Sequence, residues 1–525
     1  MTKADVFIAN GRSRTLIVMV HGMGRGPSDF GPLIDALRSW SPDADVFAPA
    51  LPLGVFSMER ASDIATSLAA AVTRKVDGGG YDDVVLVGHS LGALILRAAW
   101  MQANGVGPDG GVDLSRRLPW AARVRRIVLL AALGRGWRPT IAMSPQMRAV
   151  FWATTVWEYA QILPRLLPFE HRRGAAFLTM VRLQSLELDR AAEAAGMALP
   201  PVVQLLGAID DLVAPADNID LITGAAFQYV EVEQTGHLNV VAPDADARRG
   251  ALHFALTGDH PVPRPGGYVM RTATEVADLF SDAEEDFDQV MVDDRRSVRS
   301  DVDMAVMVVH GIRDYGYWTK RLAGVIKRKA EVAGRRCRTV TSSYGFFPMG
   351  PFVSPAGRRK RVEWFMDQYV QARSLYPDAA ISFVGHSNGT YLLAGALRAC
   401  EAVRFDKVVF AGSVVRTNYE WDQAFARKQV ARVVNYVATG DWVVAGFPKF
   451  LGRFRVFDLG GAGTDGFRAE SGVENVRYVK GAHDAAIVQA NWDGIADFVV
   501  AGRDPAEATP TALLRKTGPG LGWEV

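Results

Sequence analysis

Two serines in the chain lie in the same short pattern, with one glycine two residues before and another two residues after. The patterns are Gly88-His-Ser-Leu-Gly92 and Gly385-His-Ser-Asn-Gly389, so the serines are Ser90 and Ser387. Each pattern follows a short apolar run and precedes a segment of helical periodicity. A serine on a sharp strand-to-helix turn exposes its hydroxyl, and the flanking glycines let the two backbones pass closely. The pattern predicts two nucleophilic serines; an ordinary strand-to-helix turn of small residues is the alternative.

A glycine-bearing loop lies upstream of each serine. The apolar run 15–20 ends in His21-Gly-Met-Gly24, and the run 304–309 ends in His310-Gly-Ile312. Such a loop can direct a backbone N–H at an oxyanion, and the residue after the nucleophile can supply a second N–H. The predicted oxyanion-hole donors are Met23 with Leu91 in the first half and Ile312 with Asn388 in the second.

A nucleophilic serine needs a base, and the base needs an acid that orients it. In the first half, the apolar run Val202–Gly207 is followed by Asp210, at a place that would be the carboxyl edge of a sheet. The next run, 227–233, is followed by His237. The predicted chain order is therefore serine, Asp210, His237, with the neighbouring Asp211 as the alternative acid.

In the second half the base is identified by elimination. Only three of the nine histidines lie there, and His310 and His386 belong to the upstream loop and the serine turn. His483 remains, and it follows the apolar run 473–480. A histidine on a surface loop is the alternative interpretation of His483.

The predicted acid of the second half is Asp441, which follows the run 432–439. Asp441 and Asp210 share the local pattern D-x-x-V. Asp458 is a weaker alternative. The predicted order of the second set is Ser387, Asp441, His483.

The elements that position these residues form a repeated series. Apolar, β-branched runs alternate with helical patterns, which is typical of a parallel sheet with helices on both faces. The candidate strands of the first half are 15–20, 44–48, 83–88, 125–131, 202–208 and 227–233. Those of the second half are 304–309, 337–343, 379–384, 406–411, 432–439 and 473–480. The fold class predicted is α/β, with two such domains in one chain.

Composition changes between the halves. Residues 258–302 hold an acidic, Pro-containing stretch, which predicts a linker, with a short helix expected at 273–280. We therefore expect a first domain at 1–257 and a second at 303–502. Residues 503–525 are expected to form a flexible tail.

The halves differ most between serine and acid. The first half carries a longer segment there, 134–200, which is aromatic-rich and helical in pattern. Such an insert suits a cap that gives an acyl chain apolar walls. Extra packing helices are the alternative.

Charge and cysteine content exclude several classes of protein. Lys and Arg number 59 and Asp and Glu 57, so the net charge of +2 gives no global argument for a nucleic-acid partner. The two cysteines, Cys337 and Cys400, are far apart, which argues against a disulfide scaffold and a cysteine zinc site. No apolar stretch reaches the length of a transmembrane segment, and the early run 15–20 is short for a signal peptide. We expect a cytoplasmic protein.

Basic clusters occur in the second half, at 327–329, 335–336 and 358–361. They could attract an anionic lipid or a phosphate-bearing acyl donor. A solvated helix face is the favoured interpretation. No P-loop, dinucleotide fingerprint or metal-ligand cluster occurs, so no cofactor is expected.

Each half resembles a serine α/β-hydrolase, the superfamily of esterases, lipases and thioesterases. The resemblance covers about 10–257 and 303–500 and rests on the HG loop, the serine turn, the Asp turn and the His loop, in superfamily order. It implies hydrolysis of carboxylic esters or thioesters through an acyl-enzyme, with a small or lipid-like acyl ester as substrate. Acyl transfer by the same residues is one alternative. A second alternative is one catalytic half beside a pseudo-hydrolase half that binds or scaffolds.

Overall fold

The structure is a computed structural model. It describes residues 4–10, 13–137, 166–210, 220, 227–259, 266–272, 298–312, 316–342, 352, 354–438, 440, 458–468, 472–479 and 481–504. The chain divides into two compact units, Met1–Ala283 and Glu284–Val525. Each unit has its own sheet.

The first unit is built on an eight-stranded sheet of order β1-β3-β2-β4-β5-β6-β7-β8. Neighbouring strands run parallel except at the two edges, where β1 pairs antiparallel with β3 and β8 with β7. The strands are β1 (Val6–Ile8), β2 (Thr15–Val20), β3 (Ala44–Ala48), β4 (Asp83–His89), β5 (Val124–Leu130), β6 (Val202–Gly207), β7 (Phe227–Val232) and β8 (Tyr268–Thr272).

Helices cover both faces of this sheet. They are α1 (Gly31–Trp40), α2 (Ala61–Gly79), α3 (Leu91–Ala103), α4 (Ala176–Ala194) and α5 (Asp246–Thr257). Successive residues of β2 point to opposite faces, and the two faces have separate cores. Leu16, Val18 and Val20 pack with side chains of α2, α3 and α4. Ile17 and Met19 pack with side chains of α1 and α5.

The second unit has a six-stranded sheet of order β10-β9-β11-β12-β13-β14, with every neighbouring pair parallel. The strands are β9 (Met304–Val309), β10 (Cys337–Ser342), β11 (Ala380–His386), β12 (Phe405–Ala411), β13 (Val430–Ala438) and β14 (Glu474–Val479). The helices are α6 (Tyr317–Val332), α7 (Pro355–Leu375), α8 (Asn388–Ala399), α9 (Trp421–Ala426), α10 (Ala462–Asp465) and α11 (Trp492–Ala501).

The predicted α/β fold class with mostly parallel sheets is confirmed, and each of the twelve predicted strands has a counterpart within a few residues. Because the strands are parallel, their carboxyl ends meet at one edge of each sheet, where ligands bind in such folds. Within the described residues, no helix is both long and apolar enough to cross a membrane.

Two strands were not predicted. β1 is only three residues long, and β8 lies within 258–302, which composition assigned to the linker. In β8 the side chain of Tyr268 is buried, and Arg271 forms an ion pair with Glu231 of β7 at 3.0 Å. The nearby Pro and Gly residues are typical of turns, so composition predicted a linker here and not a strand. The helix expected at 273–280 lies outside the described residues.

The insert 134–200 is described at 134–137 and 166–200. In the second range, α4 packs against α3, with Phe177, Leu178 and Val181 buried in the core of the first unit. The described part of the insert therefore contributes to the core of the first unit. Residues 138–165, where a cap would have its remaining aromatic side chains, lie outside the described residues.

Candidate active site

Both predicted nucleophiles lie on strained turns between a strand and a helix. Ser90 has φ 53° and ψ −124°, and Ser387 has φ 52° and ψ −119°. Positive φ is uncommon for a residue with a side chain, and it costs energy that the surrounding structure must supply. In each case the serine N–H donates to a carbonyl of the neighbouring strand, Leu130 for Ser90 at 2.9 Å and Ala411 for Ser387 at 3.0 Å.

Glycines make this turn possible because the backbones around it nearly touch. A Cβ atom on Gly92 would lie 2.3 Å from the carbonyl oxygen of His21, and one on Gly88 would lie 2.5 Å from the Cα of Ala93. In the second unit, a Cβ on Gly389 would lie 2.7 Å from the carbonyl oxygen of Val309. A side chain at any of these three glycine positions would therefore collide with a neighbouring backbone.

In the first unit, the structure brings the three residues of the predicted set together. Nε2 of His237 lies 2.8 Å from Oγ of Ser90, and Nδ1 of His237 lies 2.9 Å from Oδ2 of Asp210. All three side chains are buried, with that of Asp210 only 1% exposed. The ionised carboxylate can only accept, so Nδ1–H of His237 donates to Asp210. Nε2 can then accept from the Ser90 hydroxyl.

Adjacent strands position the acid and the base. β6 and β7 pair in parallel register, so the turns that follow them lie side by side. The N–H of Ile209 donates to the carbonyl of Thr235 at 3.0 Å. A Cβ on Gly207 would lie 2.4 Å from that same carbonyl oxygen. Asp210 is thus placed beside His237 by the sheet, while the alternative acid, Asp211, lies outside the described residues.

The loop before the nucleophile is also close to it. A Cβ atom on Gly22 would lie 3.1 Å from the Cβ of Ser90. Next along this loop, Met23 is half-buried against the core, and the N–H of Gly24 donates to the carbonyl of Leu53 at 2.7 Å. Leu91 is the first residue of α3, where backbone N–H groups have no partner within the helix. The two predicted oxyanion donors thus belong to segments that flank Ser90.

The residue before the nucleophile, His89, is buried and contacts the base loop. Its Nε2 lies 2.8 Å from the carbonyl oxygen of His237. Burial, reinforced by the neighbouring His237, lowers the pKa of His89 to about 4. His386 makes the equivalent contact in the second unit, 3.1 Å from the carbonyl oxygen of His483. Neither histidine has a role that the sequence predicts, although both stand at the same position of a repeated motif.

In the second unit, the structure brings Ser387 and the His483 loop to the same edge of the sheet. The rings of His386 and His483 have centroids 4.7 Å apart. Gly412, at φ 54°, leaves space for the base loop, since a Cβ there would lie 2.9 Å from the carbonyl oxygen of His483. The predicted acid, Asp441, lies outside the described residues. The N–H of the preceding Gly440 donates to the carbonyl of Gly481 at 3.0 Å, two residues before His483.

The remaining predicted oxyanion donors belong to segments that flank Ser387. Ile312 is in the turn after β9, and Asn388 is the first residue of α8 and is buried. On the same loop as Ile312, a Cβ on Gly311 would lie 2.8 Å from the Cβ of Ser387. The two units thus share the close approach of the glycine loop to the serine.

Asp458, the alternative acid, makes other contacts. Its carboxylate accepts from Nη2 of Arg358 at 2.6 Å and from the hydroxyl of Tyr391. Burial acts to raise the pKa of Asp458, but the Arg358 charge and these hydrogen bonds outweigh it and hold the pKa below its usual value. Arg358 was assigned to a solvated basic cluster. That assignment is wrong, because its side chain is fully buried against Asp458 and donates to the Phe352 carbonyl.

Comparison with known proteins agrees with this fold. Residues 17–249 match the family model described as the alpha/beta hydrolase family. The protein has an α/β-hydrolase fold. The matched range includes Ser90, Asp210 and His237. The match lies within the first unit and agrees with the fold described above. No curated protein matches the chain.

Several solved structures are similar to about half of the chain. A monoacylglycerol lipase from Paleococcus ferrophilus is 15% identical, with 49% of this chain and 100% of that chain covered and a TM-score of 0.31. A thermophilic esterase from Thermogutta terrifontis is 16% identical, with 47% and 90% covered and a TM-score of 0.28. Carboxylesterase CesB from Bacillus subtilis is 15% identical, with 49% and 87% covered and a TM-score of 0.29.

Proposed function

We propose that the first unit is a serine hydrolase that cleaves carboxylic esters or thioesters through an acyl-enzyme intermediate. One observation carries the proposal. Ser90 Oγ, His237 and Asp210 form a continuous hydrogen-bonded chain of 2.8 and 2.9 Å at the carboxyl edge of the sheet. A nucleophile, a base and an orienting acid in this geometry can perform acyl transfer.

In the first step, Oγ of Ser90 forms a bond to the acyl carbonyl carbon while His237 Nε2 takes the hydroxyl proton. Asp210 holds the ring in the tautomer that can accept this proton and stabilises the imidazolium that results. Collapse of the tetrahedral intermediate breaks the bond to the leaving alcohol or thiol, which receives the proton from Nε2. Water then repeats the sequence on the acyl-enzyme and releases the acid and free Ser90.

The negative charge on the carbonyl oxygen needs donors in the transition state. We assign this role to the backbone N–H groups of Met23 and Leu91. Leu91 lies at the N-terminus of α3, where the helix dipole also favours negative charge. Donors of this kind contribute about 3 to 4 kcal/mol to the stability of a transition state.

We propose the same chemistry for the second unit, with Ser387, His483 and Asp441 in the corresponding roles and Ile312 and Asn388 as donors. What supports this is the repetition of the backbone. Ser387 has nearly the same φ and ψ as Ser90, and His386 reaches the His483 carbonyl as His89 reaches that of His237. The unit would then hold a second, separate site.

A fluorophosphonate probe tests both sites in one experiment. Such probes modify serines that are activated as nucleophiles, and mass spectrometry of the labelled peptides separates Ser90 from Ser387. We expect both peptides to be labelled, with Ser90→Ala and Ser387→Ala each removing one. If neither serine in the folded protein is labelled, the hydrolase proposal is wrong. If Ser90 alone is labelled, the second unit is a pseudo-hydrolase.

A substrate series then distinguishes hydrolysis from acyl transfer. p-Nitrophenyl and thio-esters of increasing acyl length are to be assayed with and without an added alcohol. We expect the free acid as the product in both conditions. A transferase would instead give the new ester as the main product when the alcohol is present.

A further inference from the structure

Each unit has a buried histidine directly before its strained serine, and this histidine contacts the base loop across the sheet edge. His89 Nε2 lies 2.8 Å from the carbonyl oxygen of His237, and His386 Nε2 lies 3.1 Å from that of His483. A carbonyl oxygen can only accept a hydrogen bond, so Nε2 carries the proton in both cases. The two contacts join residues 148 and 97 positions apart in the chain.

This contact acts on the backbone of the base rather than on its ring. Other bonds hold the neighbours of His237: Arg248 donates to the carbonyl of Gln234 at 3.0 Å, and Asn239 accepts from the N–H of Gly236 at 2.7 Å. The carbonyl of His237 itself is held by His89. The bond therefore ties the base directly to the turn that carries the nucleophile.

The ring of His89 is itself fixed in place. It is 5% exposed, and its centroid lies 5.5 Å from that of His237. On its other side, a Cβ on Gly22 would lie 2.9 Å from Nδ1 of His89, so the glycine loop and the ring are in close contact. Because its pKa is lowered to about 4, the ring is neutral at pH 7 and keeps one donor and one acceptor.

We propose that His89 is a positioning residue, which holds the His237 backbone so that Nε2 of the base stays within hydrogen-bond distance of Ser90 Oγ. His386 has the same role for His483. This inference rests on the proposed hydrolase function. It adds a requirement that the serine, base and acid do not contain: an Nε2–H donor at the position before each nucleophile.

The test uses the full chain with Ser387→Ala, so that only the first site contributes. His89→Leu removes the donor while keeping an apolar side chain of similar bulk. His89→Gln retains a donor, because the glutamine amide nitrogen can take the place of Nε2. Misplacement of a catalytic group by about 1 Å costs up to about 100-fold in rate. We expect His89→Leu to lower kcat for a short p-nitrophenyl ester by about 10- to 100-fold with KM little changed, and His89→Gln to recover most of it.

The pH profile separates positioning from a general effect on folding. A looser His237 is stabilised less by Asp210 in its charged form, so the acid limb of kcat/KM in His89→Leu should move to lower pH. Partial unfolding alone would lower the amplitude and leave the limb in place. His253→Leu is the matched control, since His253 also contacts a carbonyl, that of Asp259 at 3.0 Å. This variant should keep wild-type kcat and pH dependence.

The outcomes also separate this inference from the proposed function. If Ser90 of the parent protein does not react with a fluorophosphonate, the hydrolase proposal fails and the positioning role fails with it. If the parent reacts but His89→Leu keeps kcat within about twofold, only the positioning role is overturned. It is also overturned if His89→Gln is as impaired as His89→Leu, or if the acid limb does not move. His386→Leu in a Ser90→Ala chain provides the same test for the second unit.

Discussion

Gly22 faces Ser90 at a distance that leaves no space for a side chain: a Cβ atom on Gly22 would lie 3.1 Å from the Cβ of Ser90 and 2.9 Å from Nδ1 of His89. The glycine of the HG loop is therefore needed for space and not for backbone freedom. Gly311 has the same relationship to Ser387, at 2.8 Å. In each unit, the glycine that follows the histidine of the HG loop thus approaches the serine of the later strand-to-helix turn.

We expect Gly22→Ala to lower kcat by at least 10-fold, because the new methyl group must displace the serine turn or the oxyanion loop. The measurement is ester hydrolysis in a Ser387→Ala chain. Gly31→Ala is the matched control, since a Cβ there meets nothing within 4 Å and the position is the first of α1. The control should keep full activity. Equal activity in both variants would contradict the close packing of this loop.

Asp210 is expected to be the acid of the first site. Its side chain is 1% exposed and accepts from His237 Nδ1 at 2.9 Å. Asp210→Asn allows the ring to take the wrong tautomer, so kcat should fall by about 10⁴-fold. Asp211→Asn, the neighbouring substitution, should reduce kcat by less than about threefold. The opposite ranking of the two variants in steady-state assays would transfer the role to Asp211.

Stability of the first unit should fall in acid because of two buried histidines. Burial, with the nearby His237, lowers the pKa of His89 to about 4, and burial lowers that of His171 to about 4. A histidine in the unfolded chain titrates near 6.5, so between pH 6.5 and 4 the unfolded state binds more protons. The free energy of unfolding should therefore decrease as pH falls through this window, by up to about 3 kcal/mol for each histidine.

Denaturant unfolding at several pH values measures this effect, with hydrogen exchange of β4 amides reporting on the first unit alone. His89→Gln and His171→Gln should each flatten the dependence, since the titrating group is gone. Unchanged slopes in both variants would mean that neither buried histidine resists protonation in the folded state.

The linker between the two sheets is a prediction that proteolysis can test. Each unit has its own sheet and core, and the Arg-containing stretch 273–297 joins the chain after β8 to the chain before β9. We expect limited trypsin treatment to cut within 273–297 and to give two stable fragments. Fragment 1–272 should fold when expressed alone. Fragment 1–258 lacks β8 and the buried Tyr268, so it should be less stable and prone to associate through the exposed β7 edge.

Much of this fold was predictable because its strands are parallel and buried on both faces. Near-continuous apolar runs such as β2 and β9 stand out from their surroundings. The short edge strand β1 and the Gly-flanked β8 lack that contrast, since an edge strand is only partly buried. The two missed strands are held by hydrogen bonds to a neighbouring strand, and their own composition gives no strong signal for a strand.

The candidate site was predictable to the level of residue type and order. Motif spacing identified Ser90, Asp210 and His237, and the structure brings these three together. The contact of His89 with the His237 carbonyl was not predictable, because it joins a side chain to a backbone atom 148 residues away. Arg358 was misjudged for a similar reason: its partner, Asp458, is distant in sequence, and a run of basic residues gives no sign that one of them is buried.

The positive φ of Ser90 and Ser387 has a consequence for the stability of the protein. Glycine adopts positive φ without steric cost, whereas a side chain at φ 52–53° is disfavoured by about 1 kcal/mol. A Ser90→Gly or Ser387→Gly substitution would relieve this backbone strain but would remove the hydroxyl that we propose as the nucleophile. At positions 90 and 387 the backbone conformation therefore favours glycine, whereas the proposed activity requires serine. A search for substitutions that relieve backbone strain would therefore select Ser90 and Ser387, the two residues that the proposed activity needs unchanged.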